Sequence, residues 1–207
     1  MIEINNILDV EKCLDGIDVV LFDLDDTLYL EKDYVKSGYQ AIAKEYPNIQ
    51  NCAEKLWDAF LHGEQAIDYV LKKEELLSEK ERFLKIYRFQ TPNIQLSPGV
   101  KEMLIRLKAK KKLGIITDGR IEGQTAKIKS LGLEELFERI IITDELGGIQ
   151  FRKPNSKAFE LMREYFSSDY NKMCYVGDNL KKDCQAPNKL GMTFIYFNNH
   201  NGLYRNK

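Results

Sequence analysis

Asp23, Asp25, Asp26 and Thr27 follow almost without interruption on the apolar run Val19–Phe22. Asp23 and Asp25 are two residues apart, so strand geometry would point both carboxylates to one face. Like charges that close repel, and a raised pKa or a bound cation relieves them. On this stretch alone two readings stand level. One is a strand followed by a turn, since Asp is a common turn residue. The other is a chemical site.

The elements that must position these groups follow from the apolar pattern. A continuous run such as Val19–Phe22 reads as a buried strand of a parallel sheet. Groups at its carboxyl end then lie where open α/β sheets bind ligands. Further strands are predicted at Leu113–Thr117, Arg139–Thr143, Met173–Val176 and Met192–Phe197. Between them run helices. Ser97-Pro98-Gly99 reads as a helix start with Pro98 at the first helical position. Val100, Met103, Leu104 and Leu107 give that helix its apolar stripe. A second helix is expected over about 123–131, and a third carries Phe159, Met162 and Phe166. Residues 7–14 read as a short helical lead-in and 144–152 as a loop. Strands alternating with helices predict an α/β fold, a doubly wound parallel sheet of about five strands. Residues 31–93 interrupt this rhythm: no strand-like run appears, and Pro47, Asn48–Asn51, His62-Gly63 and Ser78 divide them into about four helices. Ser78 and Glu81 have capping-box spacing. The domain reading is therefore a core of 1–30 with 94–207 and a helical insertion of 31–93.

Composition excludes some partners. With 31 basic and 32 acidic residues in 207, the chain lacks a dominant attraction for a nucleic acid polymer or an anionic membrane. The lysines of 108–112 read as a solvated helix end rather than a nucleic-acid patch. No run is long enough to cross a bilayer. Cys13, Cys52, Cys174 and Cys184 form no C-x-x-C pair and read as reduced thiols, so a cytoplasmic location is expected.

The later strand ends add what the first one lacks. Thr117-Asp118-Gly119 offers a hydroxyl and backbone amides, Lys153 an ammonium, and Asp178 with Asp183 two more carboxylates. Hard oxygen ligands without a His or Cys cluster favour Mg²⁺ over zinc. Each residue alone has a dull explanation, whereas coincidence at four strand ends is the weaker account.

In this order the motifs resemble those of the haloacid dehalogenase-like superfamily. They stand as Asp23-Leu24-Asp25-Asp26-Thr27, Ile115-Ile116-Thr117, Lys153-Pro154 with Phe159, and Gly177-Asp178 with Asp183. The resemblance implies a Rossmann-like core whose helical insertion is a C1-type cap closing over small substrates. It implies that Asp23 is a nucleophile forming an aspartyl-phosphate and that Asp25 is the proton carrier. Mg²⁺ would be held by Asp23, the carbonyl of Asp25, Asp178 and, directly or at one remove, Asp183. Thr117, the amides around Asp118 and Gly119, and Lys153 would bind the phosphoryl group. The second aspartate points to phosphoryl rather than dehalogenase chemistry. The implied activity is a Mg²⁺-dependent phosphatase acting on a small phosphate monoester of sugar phosphate or nucleotide type. A phosphomutase is the nearest alternative, and a phospho-acceptor or silent binding module the next. Tyr34, Lys36, Tyr39 and Arg88 are candidates for setting specificity. Two departures from the family pattern stand out: a longer segment 147–152, which brings Phe151 and Arg152 near the expected pocket, and Pro187 inside an expected helix.

Overall fold

The computed structural model describes residues 1–203, which form six parallel strands in one sheet. These are β1 (Ile2–Ile4), β2 (Val19–Phe22), β3 (Lys112–Thr117), β4 (Arg139–Ile142), β5 (Met173–Gly177) and β6 (Thr193–Phe197). Their order across the sheet is β1-β6-β5-β2-β3-β4. From β2 the chain builds outward through β3 to β4, then crosses to the other side of β2 and builds through β5 to β6. The topological switch therefore falls between β2 and β5, and such crevices bind ligands in doubly wound sheets. Register is aligned there: Val19 lies opposite Lys112 and Met173, and Phe22 opposite Ile115 and Val176. All four residues of β2 are fully buried, which explains why its sequence is uniformly apolar.

One more strand is present than expected. β1 is three residues long with only Ile4 buried, and it pairs along β6. A short, mostly exposed edge strand carries no apolar pattern to read. Ile7–Cys13 is a 3₁₀ helix whose cap Asn6 accepts from Leu8 N.

The chain forms two compact units, Met1–Glu31 with Gln95–Lys207, and Lys32–Ile94. In the first, α5 (Val100–Lys108), α6 (Ile121–Ser130) and α7 (Lys157–Phe166) connect the strands. Phe159, Met162 and Phe166 of α7 pack with Val19, Leu21, Ile116 and Tyr175 of the sheet. Phe159 meets the Tyr175 ring edge-on at 5.0 Å. Ser97-Pro98-Gly99 does not open α5 with Pro98 inside it. The helix begins at Val100 because Gly99 has φ 79°, a left-handed conformation that ends a turn in which Val100 N donates to Ser97 O. Pro187 has the effect its chemistry demands. The helical segment splits into α8 (Leu180–Asp183) and α9 (Gln185–Leu190), which places Pro187 in a first turn where its missing N–H and its ring do least harm. The expected loop at 144–152 coils instead into two 3₁₀ turns, Thr143–Leu146 and Ile149–Phe151.

The second unit holds four helices: α1 (Glu31–Glu45, whose first residue belongs to the other unit), α2 (Cys52–Leu61), α3 (Ala66–Lys73) and α4 (Lys80–Arg88). Tyr34 and Tyr39 both lie against Tyr87 at 5.8 Å, and Phe83 packs on Tyr46 at 4.3 Å. Lys36 lays its ammonium over Trp57 at 4.6 Å. Tyr34 and Tyr39 are buried packing residues of this unit. Ser78 makes no capping box; it lies within a 3₁₀ turn, Leu77–Glu79, that runs directly into α4.

Replacing Phe159 with Ala leaves a cavity between α7 and the sheet. Stability is expected to fall by about 3–5 kcal/mol, read as a lower urea midpoint with an unchanged denaturant slope.

Candidate active site

The carboxyl ends of β2 and β5 converge three acids. Asp23 extends the β2–β5 ladder by one bond, its N–H donating to Val176 O at 2.8 Å, so its side chain is fixed by the sheet itself. Asp178 follows β5, and Asp183 comes from α8. One carboxylate oxygen from each of the three lies within 4.8 Å of the others. Asp183 can approach so closely because residue 177 is glycine: a Cβ there would stand 2.4 Å from Asp183 Oδ2. That oxygen accepts from Asn179 N at 2.9 Å, while the Asn179 side chain caps α8 through Lys181 N and Lys182 N.

Lys153 enters this cluster from the segment that precedes α7. Its Nζ lies 2.5 Å from Asp23 Oδ1 and 2.8 Å from Asp183 Oδ1, and it donates to Tyr175 Oη at 2.8 Å. Tyr175 in turn donates to Ile116 O at 3.1 Å. A buried ammonium so surrounded stays charged: burial opposes it, but Asp183 and Asp23 hold it well above the ordinary lysine range. The acids feel the crowding. Burial pushes Asp23 up to about 7, with Lys153 opposing and the Asp183 and Asp25 charges reinforcing. Burial, then Asp23, Asp183 and Asp26, push Asp178 up to about 9. Above them opens a cleft of about 330 Å³ lined by Asp23, Asp25, Asp118, Lys153, Asp178 and Asp183, among others.

Asp25 has a separate environment. Its Oδ1 accepts from Lys127 Nζ at 2.7 Å and from Tyr29 Oη, and its Oδ2 from Gln124 Nε2 at 2.9 Å. Burial alone would raise its pKa, but the Lys127 ammonium and the bonds from Lys127, Tyr29 and Gln124 bring it below the usual carboxylate range. Gln124 also donates to Thr117 Oγ1, at the end of β3. Gly119 has φ 143°, and a Cβ there would sit 3.1 Å from Gln124 Cγ. The tight loop after β3 is thus shaped around that glutamine.

Asp118 anchors rather than faces the phosphoryl position with its whole side chain: Oδ1 accepts from Thr143 Oγ1 at 2.9 Å and from Lys153 N at 3.0 Å. Asp26, which had no expected role, adopts φ 54° and ties three segments together. Its carboxylate accepts from Glu31 N at 2.9 Å and Leu203 N at 2.7 Å, and its carbonyl from Asn199 Nδ2 at 2.6 Å. Arg152 pairs in two-pronged fashion with Asp144, both contacts at 2.7 Å, which uses the guanidinium away from the cleft.

All the sequence-predicted residues, Asp23, Asp25, Thr117, Asp118, Gly119, Lys153, Asp178 and Asp183, thus gather at one end of the sheet. The pattern missed Tyr29, Gln124, Lys127 and Tyr175. Gln124 and Lys127 did leave a trace, being polar residues three apart on the face of α6 that also carries the buried Ile128.

The donor set suits a hard divalent cation. Asp23, Asp178 and Asp183 supply clustered carboxylate oxygens with no sulfur or imidazole, and their mutual repulsion exceeds what Lys153 offsets at Asp178. A cation among them would restore the ionised forms.

Comparison with known proteins identifies the family. Residues 20–197 match the family model of the haloacid dehalogenase-like hydrolases. A glyceraldehyde 3-phosphate phosphatase of Pyrococcus abyssi is 27% identical over 199 residues, covering 87% of this chain and 81% of the relative. The pyrimidine 5'-nucleotidase YjjG of Escherichia coli is 24% identical, covering 88% and 87%. Among solved structures, the magnesium-bound putative HAD-hydrolase YfnB of Bacillus subtilis superposes with a TM-score of 0.63 at 20% identity, over 88% of this chain and 87% of that one. This last likeness speaks for the fold. Among the described residues no helix is long and apolar enough to cross a membrane.

Mg²⁺ at a hundredfold excess over its Kd is expected to raise the melting temperature by roughly 5–10 °C. Asp178→Asn should abolish that shift, as differential scanning fluorimetry would read it.

Proposed function

The chain belongs to the haloacid dehalogenase-like hydrolases, and on that premise we propose that it is a Mg²⁺-dependent phosphatase of small phosphate monoesters. The observation that carries the reading is the pair of unlike aspartates. Asp23 lies among Lys153 and the carboxylates of Asp178 and Asp183, whereas Asp25 is held apart by its own donors. One is placed to attack and the other to carry a proton.

In this reading Asp23 attacks phosphorus in line with the ester oxygen, and the P–O ester bond breaks as the Asp23–phosphorus bond forms. Asp25 gives a proton to the leaving oxygen. Water then attacks the aspartyl-phosphate and passes a proton to Asp25, and Asp23 is released. Thr117, the amides around Asp118-Gly119 and Lys153 hold the phosphoryl oxygens, so that developing charge meets donors already in place. Bound Mg²⁺, held by Asp23, the Asp25 carbonyl, Asp178 and Asp183, would supply electrostatic screening between the anionic nucleophile and the anionic ester.

The substrate class we propose is suggested by the names of two relatives, a glyceraldehyde 3-phosphate phosphatase and a pyrimidine 5'-nucleotidase. We read this chain as acting on a sugar phosphate or nucleotide of comparable size. The helical unit Lys32–Ile94, inserted between the first two motifs, is read as the C1-type cap that selects it. Phosphatase is preferred to mutase because the relatives compared above are a phosphatase and a nucleotidase.

The test is turnover of an aryl phosphate with Mg²⁺. Asp23→Asn is expected to lower kcat by roughly a thousandfold or more, and chelator should silence the wild type reversibly. Phosphate release that survives Asp23→Asn overturns the nucleophile assignment.

A further inference from the structure

We propose that Gln124 and Lys127 are positioning residues that aim the carboxylate of Asp25, and that Gln124 also sets the direction of the Thr117 hydroxyl. The inference rests on the phosphatase reading and goes beyond it by assigning roles to two α6 side chains that no motif named.

Both residues are buried, at 3% and 4% exposure, on the inner face of α6. A buried lysine and a buried glutamine are costly unless each finds a partner. The partners here are the proton carrier, Asp25, and the phosphate-binding hydroxyl of Thr117. An ionised carboxylate has about four lone-pair sites. Lys127 and Tyr29 take those of Oδ1, and Gln124 takes one of Oδ2. Oδ2 therefore keeps an open site, and the geometry points to it as the oxygen that exchanges the proton. In the first half-reaction Asp25 Oδ2–H gives its proton to the departing ester oxygen. In the second, water bonds to phosphorus, the Asp23–phosphorus bond breaks, and the water proton returns to Oδ2.

The polarity at Thr117 follows by the same count. The Gln124 Nε2 has two hydrogens; one goes to Asp25 Oδ2 and the other to Thr117 Oγ1. The reverse amide orientation would set its carbonyl oxygen against a carboxylate, so the assignment follows from the network. With Oγ1 already accepting, the threonine's own hydrogen is free to donate. A phosphoryl oxygen is an acceptor, so Thr117 arrives with the correct sense. One amide thereby links the phosphate-binding hydroxyl to the proton carrier, and Gly119 lets the β3 loop close around it.

The discriminating experiment compares 4-nitrophenyl phosphate, whose leaving group departs without a proton, with phenyl phosphate, which depends more on the acid. Lys127→Met and Gln124→Met are expected to widen the kcat/KM ratio between the two esters by roughly tenfold or more. KM should change less than kcat. In the Asp25→Asn background, Lys127→Met should cost nothing further, because it acts through the carboxylate that is already gone. That double variant also removes both buried charges together, so it keeps the test open where Lys127→Met alone fails to fold. Equal losses of kcat/KM on both esters, or multiplicative losses in the cycle, overturn the proposal. If Asp25→Asn itself leaves the ester ratio unchanged, the acid–base reading fails instead, and the two failures are distinguishable.

Discussion

The ammonium of Lys153 is shared between Asp23 and Asp183, and the architecture around it serves to make that sharing possible. Charges withdrawn from water cost several kcal/mol each, by order of magnitude, unless they are closely paired. Here the pairing is assembled from four separate segments. The sheet ladder fixes Asp23, Gly177 admits Asp183, Asp118 holds the lysine's backbone, and Tyr175 holds its head. The balance is deliberately incomplete at Asp178, which has burial and three like charges against it. An arrangement of this kind stabilises the fold less than an apolar core would. Its value lies in a fixed electrostatic field where a phosphoryl group and a cation can both be received.

The contrast between the two aspartates of the first loop follows from which element each meets. Asp23 continues β2 and inherits the strand's direction, which takes it to the switch point. Asp25 leaves the strand and turns toward α6, where a helix can present Gln124 and Lys127 at a spacing of three. Two residues of the same type, separated by one leucine, thus acquire opposite pKa tendencies through neighbours drawn from different strands' connections.

Much of this was legible in the sequence, for a physical reason. Parallel strands buried on both faces must be apolar throughout, so an Asp, Thr or Gly-Asp at the end of such a run marks a strand terminus and a polar site at once. β2, β3 and β5 were readable in this way, and so were Thr117 and Asp178. β1 was not, because a three-residue edge strand with one buried side chain has no pattern. Tyr29 and Tyr175 were hidden because an aromatic beside an apolar run reads as packing; the fold of the loop itself brings the Tyr29 hydroxyl to Asp25, and tertiary structure brings that of Tyr175 to Lys153. Gln124 and Lys127 sit in a helix whose polar residues could face solvent equally well, and what fixed them inward was a partner about a hundred residues away. The turn at Ser97-Pro98-Gly99 shows the limit of a local rule: Gly99 takes a left-handed conformation, and the helix waits for Val100.

The knot at Asp26 bears on how the molecule comes into being. Its carbonyl and carboxylate are secured by Asn199 and Leu203, 173 and 177 residues further along the chain. A ribosome adding about 5–20 residues per second emits those partners roughly ten to thirty-five seconds after the loop itself. During that interval the acidic loop has β2 behind it but lacks its last fastening. The nascent chain therefore carries its most charge-crowded segment unlatched until those partners have been translated, and the finished geometry waits for them.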